Sequence, residues 1–181
     1  MDGVEIIEAG PERIDAVEPL WLALAAHHGA LTPAELPVRA PEDGWPMRRE
    51  RYRQALEDGA VLFLAEVTGD GAATDDAPGG PLGGGTTEAL GYAFARLGSA
   101  PEALAIERPL EVETVAVLPA ARGRGIGTAL MDAVDAWARE RGIGHLTLAV
   151  RTNNDDARRL YERRGFRSVY ETMYATLERH E

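Results

Sequence analysis

The chain has 181 residues, of which 45% are hydrophobic, and a formal net charge of −11. These values are typical of a globular protein, and residues 1–181 are expected to form a single domain. The acidic balance argues against nucleic acid as the main partner. No apolar run approaches the ~20 residues that cross a bilayer, so no membrane contact is expected. The N-terminus lacks the basic and apolar regions of a signal peptide, which predicts a cytoplasmic protein.

The chain contains no cysteine and four histidines. Disulfides, thiolate metal sites and a cysteine nucleophile are therefore excluded, and the histidines form no i, i+4 pair that would predict a metal site. The charge is unevenly placed. Residues 1–118 hold 8 Arg against 21 Asp and Glu, a net charge of −13, whereas residues 119–167 hold 10 Arg against 6 Asp and Glu, a net charge of +4. An acidic first part therefore precedes a mildly basic second part.

The first part of the chain is predicted to mix short strands and helices. Residues 4–8 are expected to form a strand, and residues 10–29 a helix that Pro19 kinks or splits. The proline-rich residues 31–46 are expected to form a loop, before a helix that stops at Gly59. Three apolar runs predict the strands of an antiparallel meander, at residues 60–67, 90–98 and 109–119, with the Gly-rich residues 69–89 as a flexible connection.

The second part predicts a long amphipathic helix over residues 125–142. A strand is then expected at "HLTLAV", and a helix capped by Asn153 or Asn154 at "NDDARRLYERRG". The last apolar stretch, "FRSVYETMYATL", is predicted as one bent strand or a closing hairpin. The order of elements predicts a mixed α/β domain. The long helix is marked by an apolar stripe of Ile126, Leu130, Met131, Val134 and Trp137.

The stretch "RGRGIGTAL", residues 122–130, lies between a predicted strand and a helix N-terminus. Such a unit gathers backbone N–H groups around an anion, and the glycines permit positive φ and close approach. A P-loop is excluded because the chain has no lysine. A Rossmann fingerprint is excluded by the spacing of the three glycines and by the missing acidic residue after the next strand. The loop is therefore a candidate pyrophosphate site of another class.

Two motifs together resemble the GNAT family of N-acetyltransferases. Arg122, Gly125 and Gly127 match the pattern [RQ]-x-x-G-x-[GA], and "NNDDARRLYERRGF" resembles the pattern N-x-x-A-x-x-L-Y-x-x-x-G-F. The two motifs stand about 30 residues apart in the order that the family shows. The resemblance covers residues 110–166, and residues 1–109 match only in the order of elements.

The resemblance implies a mixed, mostly antiparallel sheet flanked by helices, with a splay between the fourth and fifth strands. It also implies acetyl-CoA as co-substrate, no metal, and transfer of the acetyl group to a primary amine by direct attack. Tyr161 takes the position of the general acid, and the Val117 N–H is expected to hold the thioester oxygen. The residues expected to bind acetyl-CoA are Val115, Ala116, Val117, Arg122, Gly123, Arg124, Gly125, Ile126, Gly127, Thr128, Asn154, Ala157 and Tyr161.

Two carboxylates on the strand before the loop are candidates for the base. A period of two places Glu111 and Glu113 on the same face as Val115 and Val117. Either could take the proton of the amine, directly or through water, and either could instead be a solvated strand charge. Five residues of the first part are candidates for the acceptor pocket: Trp21, His27, His28, Trp45 and Tyr52.

The acceptor is expected to be a small cationic amine or a protein or peptide amine, because the acidic first part would attract a cation. Ordinary surface charge explains the acidity equally well. The alternative function is a non-catalytic acyl-CoA-binding module with a sensory or regulatory role, and a third hypothesis is a purely structural protein. A homodimer is possible.

Overall fold

The computed structural model describes residues 3–67 and 88–177. Neighbouring strands run antiparallel through the first four strands of the sheet, and the fifth is parallel to the fourth. The predicted mixed α/β fold is therefore confirmed, while the predicted connection at 69–89 lies almost wholly outside the described residues. The strands follow one another across the sheet in chain order: β1 Val4–Ala9, β2 Val61–Val67, β3 Ala89–Leu97, β4 Leu110–Val117 and β5 Leu146–Leu148.

Helices cover both faces of this sheet. One face packs against α3 (Ile126–Glu140) and α4 (Asp155–Arg163), and the other packs against α1 (Glu18–Ala30) and α2 (Pro41–Glu57). Strand β2 is buried on both sides, since Val61 and Phe63 point toward α3 while Leu62 and Leu64 point toward α1 and α2. This explains why the strand reads as a continuous apolar run rather than an alternating one.

The first helical segment is split, as Pro19 predicts. Pro11–Val17 forms a 3-10 helix, and α1 begins at Glu18 with Pro19 in its first turn. Proline is tolerated there because the first N–H groups of a helix have no intrahelical partner. The apolar stripe predicted for the long helix is also confirmed, since its five residues are all buried on α3.

The prediction of a loop over residues 31–46 is wrong for its last six residues. Helix α2 begins at Pro41, and Glu42 and Asp43 lie in its first turn, where the helix dipole favours acidic side chains. Trp45 anchors this turn because it is only 5% exposed. Pro46 lies inside the helix, so burial of the tryptophan outweighs the backbone hydrogen bond that this proline removes.

The prediction of a final strand or hairpin is also wrong for the described residues. Residues 167–177 lie outside any helix or strand and are exposed. The sequence has the β-branched and aromatic residues of a strand, but a strand forms only against a partner strand or a packed face. Within the described chain, β5 is hydrogen-bonded to β4 alone, so the last apolar side chains remain in solvent.

Strands β4 and β5 are joined over a short distance only. Their parallel register runs from Leu110 opposite Leu146 to Val112 opposite Leu148, where it ends. Strand β4 continues to Val117. The predicted splay between the fourth and fifth strands is therefore confirmed, and an opening begins beside β4 immediately after Val112.

Candidate active site

The loop between β4 and α3 is shaped by two glycines in the left-handed region. Gly123 has φ +75° and Gly125 has φ +82°, a conformation that costs residues with a Cβ about 1–2 kcal/mol. Gly125 is the N-cap of α3, and none of the described side chains caps this helix. The N–H groups of the first turn therefore donate no hydrogen bond to a capping side chain, and such a helix N-terminus is an arrangement that binds an anion.

Two other glycines bring the backbone close together behind this loop. A Cβ on Gly91 of β3 would lie 2.8 Å from the Ala116 carbonyl oxygen. A Cβ on Gly127 would lie 3.8 Å from both Val117 and Leu160 side chains. The first turn of α3 therefore packs directly on the end of β4. Arg122 and Arg124 are exposed at the same loop and add positive charge to the N-terminus of the helix.

Helix α4 contributes Asn154 and Tyr161 beside the opening. Asn154 is the N-cap, because its Oδ1 accepts a hydrogen bond from the Ala157 N–H at 3.3 Å; of the two predicted caps, Asn154 is confirmed. The Tyr161 ring packs edge-to-face on Phe166, with ring centroids 5.8 Å apart. Burial raises the pKa of the Tyr161 phenol to about 12, so its hydroxyl carries a proton throughout the neutral range.

The strand face predicted for the two carboxylates is wrong, because β4 contains a bulge. Thr114 pairs with Phe94 and Val112 pairs with Ala95, so Glu113 between them has no partner on β3. The extra residue shifts the alternation of side chains. Glu111 and Glu113 therefore face α2, where they contact arginines, whereas Val115 packs against the core on the α3 side. The bulge lies at the first residue of β4 beyond its pairing with β5.

An arginine cluster surrounds these carboxylates. The Glu113 carboxylate binds Arg48 Nη1 at 2.5 Å, Arg96 Nε at 3.1 Å and also the guanidinium of Arg51. Arg96 Nη2 also binds Glu111 Oε2 at 2.6 Å. The Glu113 side chain is 12% exposed and that of Glu111 is 32% exposed. Both carboxylates are therefore ion-paired: Glu113 binds three arginines and Glu111 binds one.

A buried aromatic layer lies beneath this cluster. The Tyr52 ring stacks on Phe94 with centroids 3.8 Å apart, and the Tyr52 hydroxyl shares a 2.7 Å hydrogen bond with Thr114 Oγ1. Tyr52 is fully buried and Trp45 nearly so, which places both in the core rather than in a pocket. Trp21 is half-buried and packs on Trp45 with centroids 5.8 Å apart.

The end of α1 reaches the far side of the opening. Asn153 Nδ2, in the segment after β5, donates a hydrogen bond to the Leu31 carbonyl at 2.9 Å. His27 and His28 are half-buried in the last turn of α1. Of the candidate pocket residues, the two histidines and Trp21 therefore remain partly accessible.

The arginines of the cluster were not predicted as site residues. Arg48 and Arg51 share one face of α2 at i, i+3 spacing, and Arg96 faces Glu111 across the β3–β4 pair. The pairing of Arg96 could have been found by aligning the two strands, but the contact of α2 with the bulge spans 65 residues and has no local signal.

The family is shown by comparison with known proteins. Residues 33–166 match the model of the acetyltransferase (GNAT) family. The chain belongs to this family. It is 34% identical to streptothricin acetyltransferase from Streptomyces lavendulae over 130 residues, 59% of this chain and 69% of that protein. It is 42% identical to N-alpha-acetyltransferase RimI from Mycobacterium tuberculosis over 91 residues, 50% of this chain and 51% of that protein. The chain therefore spans about half the length of the second relative.

A solved structure supports the fold. AAC(6')-Iy in complex with the bisubstrate analogue CoA-S-monomethyl-acetylneamine has a TM-score of 0.61 and 18% sequence identity, with 97% of this chain and 98% of that chain covered. In residues 3–67 and 88–177, no three His, Asp or Glu side chains come together as metal ligands. The helices described there are also too short or too polar to cross a bilayer.

Proposed function

We propose that the chain transfers an acetyl group from acetyl-CoA to a primary amine by direct attack, without a covalent enzyme intermediate. The main support for this proposal is the opening after Val112. It lies between helix α4 and the loop of residues 118–125 that joins β4 to α3, called the glycine loop below. Acetyl-CoA supplies the thioester that the amine attacks. The chain has no cysteine that could form an acyl-enzyme, which agrees with direct transfer.

The glycine loop is the proposed pyrophosphate site. The N–H groups of Arg124, Gly125, Gly127 and Thr128 are proposed to bind it, since the loop glycines and the uncapped helix start leave these groups open. The pantetheine arm is proposed to lie beside Val115, Ala116 and Val117, the part of β4 that follows its described pairing with β5. Arg122, Gly123, Ile126, Asn154 and Ala157 complete the proposed site.

Tyr161 is the proposed general acid for the departing thiolate. Its phenol is half-buried on the α3 side of the sheet, and burial raises its pKa to about 12. The hydroxyl therefore retains a proton to donate at every working pH. The Val117 N–H is proposed to hold the thioester oxygen as negative charge develops there.

The acceptor is proposed to be a small cationic amine or the amine of a protein or peptide. The net charge of −13 in residues 1–118 supports a cation. One relative is named for streptothricin and another as an N-alpha-acetyltransferase, which supports both acceptor classes. A cytoplasmic location and a single domain of 181 residues remain part of the proposal.

A thiol-release assay tests this function. Acetyl-CoA is offered with spermidine, with neamine and with an alanine-initiated decapeptide, and turnover is expected with at least one of them. Tyr161→Phe should lower kcat by about 100-fold, because general acid catalysis contributes about 10²–10⁴-fold, while the acetyl-CoA Kd stays within about threefold. Binding of acetyl-CoA without turnover of any amine would favour the alternative, a non-catalytic sensory or regulatory module.

We also propose a homodimer through the C-terminal segment. Val169, Met173 and Leu177 are 66%, 86% and 86% exposed, and Tyr170 and Tyr174 are exposed beside them, a concentration of apolar surface that is unusual on a monomer. We propose that this apolar surface is buried against a second copy of the chain. Light scattering after size exclusion should give twice the mass of 19.5 kDa, and Met173→Asp should reduce it to the monomer. A monomeric wild-type chain would contradict this.

A further inference from the structure

Helix α1 contacts elements on both sides of the opening between β4 and β5. On the β4 side, the Trp21 ring of α1 lies 5.8 Å from the Arg48 guanidinium, and Arg48 binds Glu113 at the bulge. On the β5 side, Leu31 at the end of α1 accepts the hydrogen bond from Asn153. The helix therefore crosses from one side of the opening to the other.

His28 lies on the part of α1 that crosses. Its carbonyl accepts hydrogen bonds from the Leu31 N–H at 3.2 Å and from Thr32 Oγ1 at 2.8 Å, which fixes the end of the helix around it. His28 lies four residues after Leu24 and seven after Trp21, so its side chain leaves α1 on the face that these two residues pack against the core. Along that face, His28 lies between the contact of Trp21 with Arg48 and the hydrogen bond at Leu31. The charged groups that act on the ring come from three elements: His27 of α1, Arg48 of α2 and Arg151 after β5.

The surroundings of His28 keep its ring neutral. Burial, followed by the positive charges of Arg151, His27 and Arg48, lowers the pKa of His28 below its ordinary value of 6.5. A lowered pKa means that the ring has already lost its proton at pH 7, so a ring nitrogen is free to accept one. The ring is half-buried rather than enclosed, so a ligand can reach it.

The two carboxylates on β4 are less available for the same task. The Glu113 oxygens bind three arginines, and Glu111 binds Arg96. A carboxylate oxygen that binds a guanidinium group is not free to contact the acceptor amine unless that ion pair opens. Among the described residues, no such ion pair occupies the His28 ring.

The faces of the sheet also place His28 and Tyr161 on opposite sides of the opening. Tyr161 packs with the core on the α3 side, whereas α1 packs on the other face. Acetyl transfer needs one group that takes a proton from the amine and another that gives a proton to the thiolate. Opposite faces separate these two groups, so that the amine can approach from one side while the thiol leaves on the other.

We propose that His28 is the catalytic base that accepts the proton of the acceptor amine, and this rests on the acetyltransferase function proposed above. An ammonium group gives one proton to the free ring nitrogen of His28, and the neutral amine attacks the thioester carbonyl. The C–N bond forms, the C–S bond breaks, and the thiolate takes the proton of the Tyr161 hydroxyl. The new amide loses the second amine proton to the tyrosinate, so that one proton in total leaves from His28 to solvent.

The pH profile of kcat/KM tests this role. The probe is the panel amine with the highest turnover, chosen with a pKa above ~9 so that a limb between pH 5 and 7 belongs to the enzyme. The wild-type profile should fall as the pH drops through a value below 6.5, because protonated His28 cannot accept a proton. His28→Gln should remove this limb and lower kcat/KM at pH 7.5 by about 100-fold.

A histidine outside the candidate site is the control. His145→Gln removes an exposed ring just before β5 and should leave kcat/KM within about threefold and the acidic limb in place. His28→Asn, a second variant of different length, keeps the test valid if the glutamine variant folds poorly, and acetyl-CoA binding verifies the fold of each. The acetyl-CoA Kd should stay within about threefold in all of them.

Three results would overturn the role of His28. The role of His28 is overturned, but the proposed function is not, if the wild-type enzyme acetylates the amine and His28→Gln keeps both the rate and the acidic limb. The same conclusion follows if Glu111→Gln, rather than His28→Gln, removes the acidic limb. A wild-type chain that acetylates no amine of the panel overturns the proposed function and this role with it.

Discussion

The two faces of the sheet are built in different ways. On the α3 side, the candidate donor site consists of backbone: glycines with positive φ, an uncapped helix start and an unpaired strand edge. On the α1 and α2 side, the candidate acceptor site consists of side chains, chiefly the arginine cluster around Glu113 and the half-buried end of α1. Strand β4 contributes to both faces because its bulge leaves Glu111 and Glu113 on the α2 side and Val115 on the α3 side.

This difference shows which part of a site a sequence reveals. A backbone site needs glycines at fixed positions within a short stretch, so it leaves a local pattern such as "RGRGIGTAL". A side-chain site needs only complementary groups that the fold brings together, and those groups can be far apart in the chain. Arg48 and Glu113 are 65 residues apart, and Tyr52 and Thr114 are 62 apart.

The largest effect on stability is expected at the acceptor face. Glu113→Gln removes the charge that three arginines share, and it leaves like charges close together in a partly buried cluster. Breaking a fully buried pair costs about 3–5 kcal/mol, and exposed pairs are worth about 0–1 kcal/mol. The arginines here are partly exposed, so the free energy of unfolding should fall by about 2 kcal/mol, measured by urea unfolding at pH 7.

Glu111→Gln is the control for this prediction. It removes a carboxylate from the same strand, but one with a single ion pair and more exposure. Its cost should stay below about 1 kcal/mol. Equal losses for the two variants would mean that the bulge is not held by the arginine cluster. If Glu113→Gln instead weakened acetyl-CoA binding by more than about threefold, the candidate donor site on one face would depend on the arginine cluster on the other.

A smaller effect is expected at the donor face, and on binding rather than folding. Gly125→Ala forces a Cβ onto a residue at φ +82°, which moves the first-turn N–H groups of α3 and should raise the acetyl-CoA Kd by about tenfold, or about 1.4 kcal/mol. Gly142→Ala imposes a similar strain at φ +68° beyond the other end of α3, where no atom of the described residues lies within 4 Å of the added Cβ.

Isothermal titration calorimetry separates the two glycine variants. Both should lose about 1 kcal/mol of stability, but only Gly125→Ala should bind acetyl-CoA more weakly. An unchanged Kd in Gly125→Ala would mean that the loop does not hold the pyrophosphate. A raised Kd in Gly142→Ala would mean that general destabilisation of α3, rather than the loop, is being measured.

Much of the fold could be predicted from the sequence, and the reasons are local. The stripe on α3, the cap at Asn154 and the split at Pro19 each depend on a few neighbouring residues. The exceptions depend on distant contacts. Residues 41–46 are helical because Trp45 is buried by elements far along the chain, and residues 167–177 lack a strand because no partner strand is present among the described residues.

The candidate site divides in the same way. The glycine loop and Tyr161 could be found from motifs, since their spacing along the chain is fixed by one loop and one helix. The face of Glu111 and Glu113 could not be predicted correctly, because one unpaired residue in β4 reverses the alternation of every side chain that follows. Nothing local to "LEVETVAV" marks the bulge; it is defined only by the register against β3.

The smallest effect is expected from two matched tyrosines beneath the acceptor face. Tyr52 and Tyr92 are both fully buried, with ring centroids 6.3 Å apart. The Tyr52 hydroxyl bonds Thr114, whereas the Tyr92 hydroxyl has no hydrogen-bond partner among the described residues. Tyr52→Phe should therefore cost about 1 kcal/mol, because it removes a buried hydrogen bond, and Tyr92→Phe should be neutral or slightly stabilising, because it removes an unpaired polar group. Thermal and urea unfolding of both variants measure this. Equal costs would mean that the bond to Thr114 contributes nothing to joining α2 and β4.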